Sequence, residues 1–364
     1  MDHLLPWLRL QFTPGLGRVG LMHLIEHFKT PEKALDVARS GWPKLPGLRQ
    51  NLAGMIPEAT HPGVQKASQL LDEMGGRLCT IWDHDYPRSL REIPDPPVLL
   101  YCCGSFPEGT SLAIVGTRNP TDFGRGFTEQ LAEELAAAGV VIVSGLARGI
   151  DAAAHQGALN CGGRTLAVLG CGIDRIYPPE NARLYRQIIE QGALISEYPP
   201  GSEPLPGHFP GRNRIISGLC KATLVMEASR DSGSLITAEF ALEQGREVMA
   251  VPGGVDRKTS YGPNLLIKQG AYPVTEAKEI LEILGIGKSS INPRSFTEPV
   301  IPQLPEPAGA VLAKLDLTPR HSDELTGECG LTPMELSAIL LQLELQGYAV
   351  KLPGGRYIRG RRQH

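Results

Sequence analysis

The chain is expected to be an α/β protein with a doubly wound, mostly parallel sheet, preceded by a small helical domain and followed by a winged helix. Four short apolar runs, Leu112 to Val115, Val140 to Val143, Leu166 to Leu169 and Thr223 to Met226, each end in small residues and are separated by helical patterns. Strand and helix alternating at this spacing require right-handed crossovers and a parallel sheet covered on both faces. A proline-rich stretch then separates this core from three helical patterns and a glycine hairpin.

Residues 1–75 read as helices joined by Pro-Gly turns. Leu4 to Leu10 leads into Thr13-Pro14-Gly15-Leu16-Gly17, and the turn recurs without its closing glycine as Leu45-Pro46-Gly47-Leu48-Arg49. Such a turn resembles the helix-hairpin-helix motif, whose second-helix N–H groups can hold a DNA phosphate; the other reading is a structural hairpin of the sterile-alpha-motif kind.

Residues 76–285 form the core. Thr80 to Trp82 and Val98 to Tyr101 read as a small hairpin extension leading into the sheet. Helices are expected near Arg125 to Ala138, Ile150 to Asn160, Asn181 to Gln191, Leu235 to Gln244, Asn264 to Lys268 and Ala277 to Leu284. Further strands are expected at Ala193 to Glu197, Glu247 to Val251 and Tyr272 to Val274. Residues 286–308 carry Pro293, Pro299, Pro302, Pro305 and Pro307 without apolar periodicity, which predicts a stiff linker.

Within residues 309–364, Val311 to Leu315, Ser322 to Thr326 and Met334 to Gln346 read as helices, the last opened by a Thr332/Glu335 capping box with Pro333 in its first turn. Ala349 to Leu352, Pro353-Gly354-Gly355 and Arg356 to Ile358 complete the pattern of a winged helix. Leu336, Ile339, Leu340 and Leu343 make the inward stripe, whereas Glu335, Gln342, Glu344 and Gln346 point outward, where a helix reading the major groove would carry arginine or lysine. Positive charge sits instead in Lys351, Arg356, Arg359, Arg361 and Arg362, so protein contact or weak backbone binding is expected there.

The 364 residues carry a formal net charge of −3, so the average surface does not attract polyanions and any nucleic-acid site must be local. Cys79, Cys102, Cys103, Cys161, Cys171, Cys220 and Cys329 are scattered, with no C-x-x-C pair to suggest a metal or a redox dithiol. Asp2 and Pro6 are unlike a signal peptide, and no run is long enough to span a bilayer. A cytoplasmic location without membrane contact is expected.

If the apolar runs are parallel strands, their carboxyl ends form one rim where small residues let backbone N–H groups approach an anion. Gly116-Thr117-Arg118 places a guanidinium directly after a strand, positioned to fork onto phosphate beside the Gly116 and Thr117 N–H groups, unless it pairs with Asp122. Ser144-Gly145-Leu146-Ala147-Arg148-Gly149 is a tight turn into a helix beginning near Asp151. Asp151 and His155 are either a nucleophile or base pair on one helix face, or a helix cap and a buried histidine. Phe209-Pro210-Gly211-Arg212-Asn213-Arg214 offers a stacking ring, phosphate clamps and an amide for a base edge or sugar; the alternative is a helix start with its arginines in salt bridges. Ser232-Gly233-Ser234 opens another helix, as an ordinary cap or as an anion cradle. A dinucleotide fingerprint is missing: the first turn is not G-x-G-x-x-G, the second strand ends in Ser144, and Gly170-Cys171-Gly172 is a lone G-x-G.

Taken in order, these motifs resemble the DNA-processing protein A family, also called Smf. The resemblance is carried by Gly116-Thr117-Arg118, Ser144 to Asp151 with His155, Ala167 to Asp174 with Tyr177-Pro178 and Asn181, Ser196 to Gly201, Phe209 to Leu219, Ser232 to Ala238, and Val251-Pro252-Gly253 with Gly262-Pro263-Asn264. It implies an extended Rossmann core without cofactor or catalysis. It also implies a protein that binds and protects single-stranded DNA during natural transformation, loads the recombinase RecA onto it, and dimerises through that core. By resemblance Arg118 contacts DNA, and Phe209, Arg212 and Arg214 lie in the segment lining the pocket. Leu265, Leu266 and Ile267 are the expected dimer contact. Thr117 stands where the family more often has serine, which keeps the hydroxyl, and Arg175 or Arg183 would replace lysines found in some relatives. The competing expectation is a nucleotide-processing phosphoribohydrolase on the same core, with Glu239 as its acid, although the P-G-G-x-G-T-x-x-E motif of those enzymes is not reproduced by Gly233 to Glu239.

Overall fold

The computed structural model describes residues 3–286, 304, 306–316 and 318–360. Its sheet contains β1 (Arg77–Thr80), β2 (Leu99–Gly104), β3 (Ser111–Val115), β4 (Val141–Ser144), β5 (Thr165–Leu169), β6 (Ala193–Ser196), β7 (Ala222–Val225), β8 (Glu247–Ala250) and β9 (Tyr272–Pro273). The order is β1-β2-β6-β5-β4-β3-β7-β8-β9. Pairing is parallel from β6 through β9 and antiparallel where β2 joins β6 and β1 joins β2. The expected hairpin extension therefore forms the antiparallel edge of a mostly parallel sheet.

Eight helices follow or interleave with these strands in the core: α5 (Arg88–Arg91), α6 (Asp122–Ala137), α7 (Ile150–Asn160), α8 (Ala182–Gln191), α9 (His208–Gly218), α10 (Gly233–Glu243), α11 (Tyr261–Lys268) and α12 (Ala277–Ile283). Alternation along the strands covers the sheet on both faces. Leu112 and Ile114 cluster with Leu131 and Leu135 of α6, Ala154 of α7 and Ile280 of α12, whereas Ala113 and Val115 cluster with Ile215 and Ile216 of α9 and Ala238 of α10.

Helix starts differ from expectation for local reasons. Helix α6 begins at Asp122 because the Thr121 side chain accepts from the Gly124 N–H, and α10 begins at Gly233 because Ser232 accepts from the Ser234 N–H. The Phe209 to Leu219 segment is helical almost throughout. Pro210 is tolerated because it falls in the first turn of α9, where the N–H has no intrahelical partner to lose.

The amino-terminal helices are α1 (Leu4–Gln11), α2 (Arg18–Phe28), α3 (Pro31–Ala38) and α4 (Pro62–Glu73). The first Pro-Gly turn joins α1 to α2, but the second leads only into a 3-10 turn over Gln50–Met55, so it forms no second helix-hairpin-helix. No break in packing occurs near residue 75. Leu8 clusters with Val64, Tyr101 and Leu169, Leu10 and Leu24 join the cluster under the sheet, and Trp7 stacks on Trp82 at 6.0 Å.

The carboxy-terminal unit contains α13 (Ala308–Lys314), α14 (Ser322–Cys329) and α15 (Pro333–Leu345), with strands β10 (Arg320–His321), β11 (Ala349–Leu352) and β12 (Arg356–Arg359) in the order β10-β12-β11. Leu336, Ile339, Leu340 and Leu343 are buried in its own cluster with Val311, Leu312 and Leu325. The expected outward residues Glu335, Gln342, Glu344 and Gln346 are exposed. Most of the proline-rich linker, and Arg361 and Arg362, lie outside the described residues.

Candidate nucleic-acid pocket

The chain crosses from β6 to β7 on the far side of β3, so the direction of winding reverses between β3 and β7, and a crevice opens there at the strand carboxyl ends. A cavity of about 530 Å³ occupies it, lined on one wall by Gly116, Thr117 and Arg118 after β3 and on another by Ser229, Asp231, Ser232, Gly233 and Ser234 after β7. Phe209, Arg212 and Asn213 of α9 and the Tyr177 loop close it.

Phe209 is the centre of the site. The Arg118 Cζ lies 5.7 Å and the Arg212 Cζ 5.9 Å from its ring centroid, and the Tyr177 ring is tilted against it at 5.7 Å. Gly170 is what lets the ring sit there, because a Cβ on residue 170 would come within 2.9 Å of it. Arg118 is exposed, and among the described residues it has no carboxylate partner; Asp122 pairs with Arg125 at 2.7 Å instead. Its charge therefore remains available to a phosphate.

The other two arginines of the segment are placed differently. Arg212 is buried, its Nη1 donating to the carbonyls of Gly145 and Val168 while Nε donates to Asn213 Oδ1. It lines the cavity with a guanidinium already hydrogen-bonded within the chain, and burial lowers its pKa while nearby Asp151 opposes that fall. Arg214 does not reach the cavity. Only 4% exposed, it lies between Glu197 at 2.8 Å and Asp95 at 3.0 Å, so for this residue the salt-bridge alternative replaces the expected phosphate clamp. Asn213 joins α9 to α10 through a bond from Nδ2 to the Gly233 carbonyl at 3.2 Å.

Several rim groups expected to face an anion are already satisfied within the chain. Ser144 is fully buried and donates to the Ile114 carbonyl, and the Thr117 N–H donates to the Glu227 carbonyl. Glu227 also fills the start of α6, its carboxylate accepting from the Thr121 N–H and hydroxyl, with Gly124 leaving room for it. Asp151 does not cap α7, whose N-cap is Gly149; its carboxylate turns back to accept from the N–H groups of Gly145 and Ala147. Burial raises the Asp151 pKa against the opposing pull of Arg212 and these bonds. The start of α10 remains open: Gly233 is exposed, a Cβ there would meet nothing, and Ser232 and Ser234 share their hydroxyls at 2.7 Å.

The remaining candidates do not line the main cavity. Arg148 is exposed, pairs with Glu180 and borders a smaller recess of about 40 Å³ beside Gly170 and Tyr177. Arg175 pairs with Asp174 and with Glu203 at 3.0 Å, and Arg183 is an exposed residue of α8; neither lines the cavity. Glu239 is exposed on α10 and likewise does not line it, so a nucleotide held there would lack the acid expected of a phosphoribohydrolase. Leu266 is buried in the core and Leu265 and Ile267 are half-buried, so Leu266 offers no surface to a second copy. Sequence reasoning missed Glu227 as a helix plug and Tyr177 as a cavity wall. The only signal for Tyr177 was an aromatic in a proline turn.

His155 is the buried histidine of the milder reading. Its Nδ1 lies 2.6 Å from Thr165 Oγ1, whose own proton goes to the Ile142 carbonyl, so Nδ1 carries the proton, and among the described residues Nε2 has no partner. Burial holds its pKa down at about 3, which rules out a cation there at neutral pH.

The family model described as DNA recombination-mediator protein A matches residues 77–285, and that described as DprA winged helix domain matches residues 297–355. Protein Smf of Escherichia coli is 44% identical, covering 98% of this chain and 96% of the relative, and Protein Smf of Synechocystis is 36% identical over 97% and 98%. Among solved structures, DNA processing protein A of Streptococcus pneumoniae is 37% identical at a TM-score of 0.63, covering 75% of this chain and 95% of that one. DNA processing protein A of Helicobacter pylori, described for its unique single-stranded DNA binding mode, is 32% identical at a TM-score of 0.51, covering 57% and 95%.

Proposed function

Because the chain belongs to the DNA recombination-mediator protein A family, we propose that it binds single-stranded DNA in the cavity between β3 and β7, protects it, and loads RecA onto it without catalysis. The observation that carries this is the Arg118–Phe209 pair: an unpaired guanidinium against an aromatic wall, beside an open helix start. Single strands are held by such a combination of backbone charge and base stacking. A duplex keeps its bases stacked inside and presents none to the ring. The Helicobacter pylori relative, with its reported single-strand binding mode, supports the same reading.

The test is affinity for single-stranded against duplex DNA at two salt concentrations, with RecA-filament formation measured on DNA blocked by the protein. Single strands are expected to bind more tightly and to be released to RecA. Arg118→Ala is expected to weaken single-strand binding and flatten its logarithmic salt slope by about 0.7, the change for one lost phosphate contact. Equal affinity for duplex, or an unchanged slope, counts against this reading. Incubation with nucleoside monophosphates is expected to release no free base.

A further inference from the structure

We infer that Tyr261 and Arg230 form a second base-stacking platform, which carries the strand out of the cavity and over the loop between β8 and α11. This rests on the single-strand reading above. The Arg230 Cζ lies 5.3 Å from the Tyr261 ring centroid. Both residues are exposed, Tyr261 to 40%, and among the described residues Arg230 has no carboxylate partner.

The pair is fixed to the cavity wall. Arg230 stands between Ser229 and Asp231, both of which line the cavity. The loop bearing Tyr261 is tied to the same segment by the Ala228 N–H, which donates to the Thr259 carbonyl at 2.7 Å, and by the Gly262 N–H, which donates to the Ala228 carbonyl at 2.8 Å. The approach is close enough that a Cβ on residue 262 would lie 2.7 Å from that of Ala228. An exposed ring is thus held rigidly beside the exit of the cavity.

The surrounding charge suits a phosphate backbone. Arg257 and Lys258 are exposed immediately before Tyr261, so the two loops carry Arg230, Arg257 and Lys258 against Asp231 and Asp256. A guanidinium lying on one face of a ring leaves the other face for a base, and its free N–H groups for phosphate oxygens. Two rings on one rim, Phe209 within the cavity and Tyr261 beyond it, would each hold a base of the same strand.

The experiment compares oligothymidylates of about four and about sixteen nucleotides, the limits of a common single-domain site size. Tyr261→Ala is expected to weaken the longer strand roughly tenfold, as loss of one stacked base should, and to leave the shorter one unchanged. Tyr261→Phe keeps the ring and is expected to bind both lengths as the unsubstituted chain does. Arg230→Ala is expected to flatten the salt slope for the longer strand alone. A Tyr261→Ala chain that binds both lengths normally, or loses both equally, overturns the inference. Arg118→Ala by contrast should weaken both lengths, and if the unsubstituted chain binds neither, the single-strand reading itself fails and the platform with it.

Discussion

Arg118, Arg212 and Arg214 lie within reach of one helix and have three different environments. Arg118 is exposed against a ring, Arg212 is buried among carbonyls, and Arg214 is buried between two carboxylates. A phosphate can displace water from the first, but not the paired partners of the third. Arg214→Met is expected to cost roughly 3 kcal/mol, because it strands the less exposed Glu197 without its cation. Urea unfolding would show that loss, while single-strand affinity of the folded protein stays unchanged. Gly170→Ala should do the reverse. Its Cβ would press on Phe209, a half-buried side chain that can tilt away, so affinity is expected to fall several-fold in a DNA titration at a stability cost of about 1 kcal/mol.

Helix starts divide the rim into closed and open places. Those of α6 and the turn before α7 are filled by Glu227 and Asp151, whereas the start of α10 faces the cavity with only the Ser232 cap on it. Helix α7 also contains a pH response. The native His155 takes up a second proton, on Nε2, only below about pH 3, whereas the unfolded chain takes one up near 6.5. Between these values the unfolded state binds more protons, so stability falls as pH falls from about 6.5, by about 2 kcal/mol at pH 5. Asp151 acts oppositely, because its raised native pKa makes the folded chain the tighter proton binder and stability from it declines as pH rises through that value. Urea midpoints measured from pH 7 to 5 should fall, and His155→Gln should remove most of the slope. Helix α9 was legible only as the alternative of a helix start at Phe209 to Arg214, which the structure bears out because a proline in a first turn breaks nothing. The direction of its arginines was hidden: Asp95 lies far upstream in the chain, on a segment with no pattern of its own.

At the scale of the molecule, the amino-terminal helices and the sheet share their clusters, while the carboxy-terminal unit has its own. Arg18 at the start of α2 pairs with Asp95, which also holds Arg214, so the first helical hairpin braces the helix that carries Phe209. A chain ending at Ile286 retains every residue that lines the cavity. It is expected to bind single-stranded DNA as the full chain does, measured by titration. A large loss would place part of the site in the winged helix, whose outward helix face is acidic where DNA-reading helices are basic.

The sequence by itself determined the parallel sheet, the rim and the order of the motifs, because apolar runs ending in small residues leave few other ways to bury those strands. It also singled out Phe209 and Arg118, which line the cavity, since an aromatic and an arginine beside glycine turns have a chemistry that needs little context. Only the tertiary structure decided which charges remain free. A guanidinium or a helix start is available to a phosphate unless a carboxylate from elsewhere in the chain reaches it first. Glu227, Asp95 and Glu197 reach theirs through the fold and not through proximity in sequence, whereas Asp151 only turns back within its own loop.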